Sequence, residues 1–300
     1  MQRLKLNHAD LTFSRLVYGV WRLADDTNHS VDHVRSKIDA ALAEGITTFD
    51  HADIYGNYEC EALFGKALAA DTALRNKMEI VTKCDICLTS DKHPQRRVGF
   101  YDTSAAYINQ QVEASLRNLH TDHIDTLLIH RPDPLMDAAE TGATLDALID
   151  SGKIRTAGVS NFIADDWRLL QAHMKHKLVI NQIELSVLKR DSFINGDLSA
   201  LQLDGINTMA WSPLAGGRLF GSDDDAQRVR PLLTKAAEAY GGRIDLAAFA
   251  WLLKHPANIL PVVGTNNIDR IRDLGDALQI EMDRHIWFEI FVAAAGQGMP

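Results

Sequence analysis

Ile124-Asp-Thr-Leu-Leu-Ile129, a segment of helical length closed by Gly152, and then Ile154-Arg-Thr-Ala-Gly-Val159 form the stretch on which the fold turns. Both apolar runs are short and nearly continuous, as a strand covered on both faces should be. A glycine after a helical segment supplies the left-handed residue that stops it before the next strand. The stretch therefore predicts strand, helix, strand, which is one parallel crossover unit.

The same unit recurs on both sides. Leu16–Val20, Ile46–Phe49 and Met78–Thr82 precede it, and Leu178–Ile183, Ile206–Ala210 and Ile259–Val263 follow. Helical periods such as Val34, Ile38, Ala41, Leu42 and Val112, Leu116, Leu119 lie between the runs, and Gly45 ends one helix as Gly152 ends another. Eight strands alternating with helices predict a closed (β/α)8 TIM barrel, and 300 residues suit one such domain spanning residues 1–300. An open doubly wound sheet is the competing α/β architecture. No G-x-G-x-x-G follows the first run, however, and no Pro/Ser/Gly-rich linker divides the chain. Arg3–Leu6, the turn Asn7–Asp10 and Leu11–Phe13 predict an N-terminal β-hairpin, and Asp283–Ala295 predicts an extra C-terminal helix outside the barrel. Two segments, 84–103 and 212–227, exceed ordinary connection length, which marks them as functional or mobile loops.

Composition narrows the partners. Apolar residues make up 46% of the chain and charged residues 24%, with 31 Lys plus Arg against 40 Asp plus Glu, a formal charge of −9. A mildly acidic chain without a basic block is a poor ligand for nucleic acid or an anionic membrane. The apolar run Leu246–Leu253 is too short to span a bilayer and Met1–His8 lacks a signal-peptide core, so a cytoplasmic protein with a small-molecule substrate is expected. Cys60, Cys84 and Cys87 are too few for a disulfide framework. The Cys84-x-x-Cys87 pair has no second pair or histidine set at zinc spacing, so it is read as incidental and no metal is expected.

In a barrel of this class the chemistry sits at the C-terminal ends of the strands. Those tips carry Gly19 and Trp21, Asp50 with Tyr55, Lys83, His130, Ser160-Asn161, Gln182 with Glu184, Trp211-Ser212 and Gly264-Thr265. Asp50, Lys83 and His130 fall on adjacent staves, and Tyr55 is near enough to fold back over the mouth. A phenol titrates near 10, and a neighbouring ammonium lowers that value. Asp50 supplies the counter-charge for Lys83, His130 can donate a hydrogen bond to a carbonyl oxygen, and Tyr55 can protonate the resulting alkoxide. Such a set suits carbonyl reduction but holds no electron source, so a hydride-carrying cofactor is required.

At this point the chain resembles the aldo-keto reductases. Gly45-Ile-Thr-Thr-Phe-Asp50-His-Ala-Asp-Ile-Tyr55-Gly56 is similar to the family's G-x4-D-x-A-x-x-Y-G signature. Val81-Thr-Lys83, Leu127-Leu-Ile-His130, Gly158-Val-Ser160-Asn161-Phe162, Asn181-Gln182, Trp211-Ser-Pro213-Leu and Val263-Gly264-Thr265 with Arg270 follow in the family's order. The resemblance implies Asp50, Tyr55, Lys83 and His130 as the catalytic tetrad, with Tyr55 the acid. It implies Ser160, Asn161 and Gln182 as partners of the nicotinamide carboxamide and Trp211 as the ring that stacks on it. Ser212, Leu214, Gly216, Gly217 and Arg218 would pass over the pyrophosphate, where glycines let backbone N–H groups approach. Gly264, Thr265 and Asn267 would open a helix onto the adenosine end, with Arg270 forking onto a 2′-phosphate.

Gly264-Thr265 stands where many members have Lys-Ser, and Asp273-Leu274 where many have Glu-Asn. One phosphate contact and one adenine contact are thereby lost, so NADP(H) is expected with NAD(H) used at lower affinity. Gly296–Pro300 carries no long apolar loop, so the pocket is expected either to be more open or to be closed by segment 84–103 with Phe100 and Tyr101. Trp21, Ile54 and Phe100 are the expected substrate walls, and Arg131 is expected to pair with Asp133 rather than attract an anion. Three rival readings use the same residues. A metal hydrolase would ligate through Asp50, His51, Asp53 and His130, and a Schiff-base lyase would use Lys83. A nicotinamide-binding sensor would need no tyrosine acid.

Overall fold

The computed structural model describes residues 1–298; the last two residues of the tail, 299 and 300, lie outside the described residues. Among the described residues twelve strands occur: β1 (Arg3–Lys5), β2 (Thr12–Ser14), β3 (Val17–Gly19), β4 (Thr48–Asp50), β5 (Glu79–Cys84), β6 (Ile86–Cys87), β7 (Phe100–Tyr101), β8 (Ile124–Ile129), β9 (Ile154–Ser160), β10 (Leu178–Glu184), β11 (Asn207–Trp211) and β12 (Leu260–Val263). Eight of them close into a parallel barrel in the order β10-β11-β12-β3-β4-β5-β8-β9. These are the eight runs expected from sequence, each placed within two residues. The helices are α1 (Val31–Ala43), α2 (Tyr55–Tyr58), α3 (Cys60–Ala70), α4 (Ala105–Asn118), α5 (Ala138–Asp150), α6 (Ala164–Ala172), α7 (Asp197–Asp204), α8 (Asp224–Ala236), α9 (Ile244–Leu253), α10 (Ile268–Arg272) and α11 (Arg284–Ala295).

Local chemistry explains the boundaries. Ser30, Ser104, Asp137 and Asp283 each accept a first-turn N–H of α1, α4, α5 and α11, satisfying donors that have no partner within the helix. Gly45 (φ 73°) and Gly152 (φ 77°) end α1 and α5 in the left-handed region, which is why those positions are glycine. The C-terminal helix α11 packs outside the barrel, against α8. Among the described residues no helix is long and apolar enough to cross a membrane.

Two apolar layers hold the fold. The larger lies between the barrel wall and its helices. The smaller fills the bore, where Val17, Val81, Leu128, Ile180, Met209 and Val262 meet Leu6, Leu11 and Phe13 of the β1–β2 hairpin. Asn7 N–H donates to Asn207 Oδ1 at 2.8 Å, at the start of β11, so the hairpin seats at the N-terminal end of the strands. The floor is closed and the opposite rim is left for chemistry.

The two long segments are more structured than sequence suggests. Segment 84–103 folds into the two-stranded β6–β7 ribbon, and segment 212–227 ends early because α8 begins at Asp224.

Candidate active site

Asp50 ends β4, Lys83 lies near the end of β5 and His130 directly follows β8, so three adjacent staves deliver them to one rim. Lys83 is fully buried and Asp50 nearly so. The Lys83 ammonium donates to both carboxylate oxygens of Asp50 at 2.8 Å, to the His51 carbonyl at 2.7 Å and to the Tyr55 hydroxyl at 3.0 Å. Burial alone would discharge this lysine, but Asp50 and Tyr55 outweigh it and hold its pKa above the ordinary value. The ammonium is thereby kept charged with no solvent contact.

Tyr55 is delivered by an unusual turn. After it, Gly56 (φ 58°), Asn57 (φ 53°) and Tyr58 (φ 67°) wind in the left-handed sense. Two of the three are not glycine, and both strained residues are tied down. Asn57 donates to Asp91 at 2.7 Å, and the Tyr58 hydroxyl accepts from Leu88 N–H at 3.0 Å and Arg96 at 2.8 Å. The ribbon loop thus clamps the turn that aims Tyr55.

Electrostatics correct one expectation. The ammonium does favour the phenolate, yet burial is the larger effect, and the Tyr55 pKa is raised overall. A phenol so placed stays protonated through neutral pH, which suits a proton donor. His130 moves the other way, because burial and the nearby Lys83 and Arg131 cations hold it well below the usual imidazole value. It is a neutral imidazole, its ring 6.0 Å from that of Tyr55 and inclined at 76°. His130 Nδ1 is buried without a partner.

These groups open on a cavity of about 390 Å³ lined by Trp21, Ile54, Asp50, Tyr55, His130, Ser160, Asn161, Gln182, Trp211, Ser212, Leu214, Gly216, Gly217 and Gly264, all expected from sequence. Lys83 lies beneath that lining. The amide residues form one network. Gln182 Nε2 donates to Asp50 Oδ1 at 2.7 Å, and the Ser160 hydroxyl donates to the Gln182 carbonyl at 2.8 Å. Asn161, left-handed at φ 61°, donates to Ser160 Oγ at 2.9 Å and accepts the Trp211 indole N–H at 2.8 Å. Gly216 (φ 65°) and Gly217 (φ 101°) border the cavity, and a Cβ on either would meet nothing within 4 Å, so their backbone faces open space.

Other residues lie elsewhere. Phe100 is not a wall: it is exposed on β7 beneath the Arg96 guanidinium, and Ile86 lines the cavity instead. Phe100 pairs with Cys87, and neighbouring positions on a strand face opposite sides, so Phe100 shares the face turned away from Ile86. Arg218 is engaged by Asp223 at 2.8 Å and Asp225 at 3.2 Å. Asn267 caps α10 by accepting Arg270 N–H at 3.0 Å, while Thr265 accepts Asn267 N–H at 3.2 Å. That helix is five residues long, so the exposed Arg270 side chain is its chief asset toward an anion.

Arg131 does not pair with Asp133. Asp133 accepts from Thr103 at 2.9 Å and from Leu135 N–H at 2.8 Å, and the Arg131 guanidinium lies 5.6 Å from the Trp211 ring centroid, lining the cavity. Sequence reasoning missed Arg22, Ile86 and Phe249 in the lining, because none occupies a strand tip. It also missed the tie made by the Asn266 side chain, whose amide donates to the Arg22 carbonyl at 2.6 Å and accepts from the buried Lys37 at 3.0 Å, joining the Gly264–Asn267 loop to the Trp21 loop. Cys84 and Cys87 are both buried, and burial pushes both thiols up, Cys84 most strongly.

The model of the Aldo/keto reductase family matches residues 15–290. A 6-dehydroglucose reductase of Agrobacterium fabrum is 52% identical over 297 residues, covering 99% of each chain. An uncharacterised oxidoreductase of Bacillus subtilis is 46% identical over the full length of both chains. Among solved structures, a glycerol dehydrogenase from Gluconobacter oxydans superposes with a TM-score of 0.85 at 23% identity, over 99% of this chain and 97% of that one.

Proposed function

The chain belongs to the aldo/keto reductase family and is an oxidoreductase acting between carbonyls and alcohols, and from that premise we propose that it reduces a polyhydroxylated aldehyde to the alcohol with NADPH, within a single barrel domain, Tyr55 supplying the proton. The observation that carries this reading is one hydrogen-bonded unit. The buried Lys83 ammonium touches both Asp50 oxygens and the Tyr55 hydroxyl, and Tyr55 borders the cavity.

The residues present fit a nicotinamide cofactor. Bare backbone at Gly216, Gly217 and Gly264 borders the cavity, and Ser160, Asn161, Gln182 and Trp211 line it as one hydrogen-bonded network. Arg270, with Gly264, Thr265 and Asn267 before it, is the group suited to a 2′-phosphate, whereas Arg218 is already held by acids. When bound, the reduced nicotinamide supplies a hydride to the carbonyl carbon.

The chain's own residues do the rest. His130 offers Nε2–H to the carbonyl oxygen and polarises it. Tyr55 gives its proton to the same oxygen as negative charge develops there. Lys83, held by Asp50, stabilises the phenolate left behind. Trp21, Ile54 and the Arg131–Trp211 pair border the space for the rest of the substrate, and a guanidinium with N–H donors suits hydroxyl oxygens. The relative named 6-dehydroglucose reductase supports a sugar aldehyde as the substrate class.

The test is NADPH oxidation across a panel of aldehydes and ketones, hydroxylated and plain, with wild type and Tyr55→Phe. Turnover by the wild type, cut ~10²–10⁴-fold in the variant at unchanged NADPH affinity, supports the reading. Tight NADPH binding with no turnover of any carbonyl would identify a sensor instead.

A further inference from the structure

Two residues past Lys83 the chain leaves the barrel wall at Asp85, and it leaves in a conformation that glycine prefers, with φ at 112°. Asp85 is fully buried. Its Oδ2 accepts the main-chain N–H of Arg131 at 3.0 Å, while Oδ1 has no partner. The residue before it, Cys84, accepts the main-chain N–H of His130 through its carbonyl at 3.0 Å. Consecutive residues of one stave thus grip consecutive residues of the next, the first through a main-chain oxygen and the second through a side chain. The regular pairing of β5 with β8 ends at Cys84 and Ile129, so beyond it the side chain stands in for the sheet.

The same residue starts the ribbon over the site, its carbonyl accepting Asp102 N–H at 2.8 Å. A strained φ and a buried carboxyl are both costly, and a glycine would avoid both. Glycine cannot offer an acceptor to Arg131. Burial, with Asp53 and Asp133 nearby, pushes the Asp85 carboxyl well up toward its neutral form, whose shape an asparagine copies.

We propose that Asp85 is a positioning residue for carbonyl reduction: by holding the Arg131 N–H it fixes the His130–Arg131 peptide, and with it the imidazole that faces the carbonyl oxygen. The inference rests on the role given to His130 above. A drift of about 1 Å in a catalytic group is enough to slow a reaction about a hundredfold, so one hydrogen bond at this peptide has leverage.

Three variants test it. Asp85→Asn keeps an acceptor and tolerates the left-handed backbone, whereas Asp85→Gly adopts that backbone freely and has no acceptor. His130→Gln runs in parallel. Asp85→Asn is expected within about threefold of wild-type kcat. Asp85→Gly is expected to lose ~10–100-fold in kcat while NADPH affinity, read by fluorescence titration, moves less than about twofold. Wild-type turnover in Asp85→Gly with His130→Gln inactive would overturn the proposal alone. An equal loss in Asp85→Asn would also overturn it, as would NADPH binding that falls in step with turnover, which marks a general structural prop. Full turnover in His130→Gln would remove the underlying role of His130, and this proposal with it.

Discussion

Gln182 and Asp50 meet across the bore of the barrel: the side chain of one donates at 2.7 Å to the carboxylate oxygen of the other that Lys83 also holds. Their strands, β10 and β4, stand on opposite sides of the closed ring, with three staves between them in either direction. Removing the amide by Gln182→Ala takes one donor from a buried carboxylate. A hydrogen bond to a charged group contributes about 1.5–3 kcal/mol, or roughly ten- to a hundredfold. We expect that loss mainly in kcat. Steady-state kinetics with NADPH titration checks it; lost NADPH affinity at unchanged kcat would place Gln182 wholly on the cofactor.

Lys83→Met should move the alkaline limb of the reduction rate to higher pH. Tyr55 donates only while protonated, burial already raises its pKa, and the ammonium is the main group pulling it down. Without that cation the phenol titrates later and is the weaker acid, so turnover should fall although the limb shifts outward. Asp50 is left buried without its cation, which costs about 3–5 kcal/mol of stability. A pH–rate profile and a thermal melt test the two effects separately.

His51 should be a source of acid sensitivity. It is fully buried, neither ring nitrogen has a partner, and burial, helped by Lys83, holds its pKa at about 3. The unfolded chain takes up this proton near pH 6.5 and the folded one does not, so stability falls as pH drops from about 6.5 toward 3. His51→Leu removes the site while keeping apolar contact with Phe64, on which the imidazole packs edge-on at 4.6 Å. Between pH 6.5 and 5 wild type should lose about 2 kcal/mol relative to the variant. Denaturant midpoints at the two pH values measure this, and parallel curves would refute it.

Arg270→Ala should weaken NADPH by roughly tenfold and leave NADH nearly unchanged, since a charge-assisted bond to the 2′-phosphate contributes about 1.5–3 kcal/mol and the usual lysine is missing. Arg272 cannot substitute, because it is paired with Asp269 at 2.9 Å. NADPH affinity should also become less salt-dependent. Equal weakening of both cofactors would count against a 2′-phosphate contact.

The barrel and the Asp50, Lys83, His130 rim were legible because they depend on order along the chain. Near-continuous apolar runs mark strands buried on both faces, and adjacent strands put their tips side by side. What could not be read depends on meetings between distant strands or on burial. Gln182 reaches Asp50 across the bore, which no spacing encodes. Phe100 gave way to Ile86 through the register of a two-residue ribbon. Arg131 left Asp133 for Trp211 because Thr103 and Leu135 had already taken that carboxylate. The direction of the Tyr55 shift was misjudged because burial is a property of the finished fold.

The hairpin in the floor of the barrel has a consequence for how the molecule comes into being. Leu6, Leu11 and Phe13 leave the ribosome before every stave of the barrel, yet their cover includes Met209, Leu260 and Val262 from the last two staves. The ring itself closes only when Val262 pairs with Val17. For most of synthesis these apolar side chains have no native seat, and the non-local contacts that bury them are the slow kind. A hairpin made before the barrel is therefore seated among its last parts, and a nascent chain stalled short of Leu260 carries uncovered apolar side chains there.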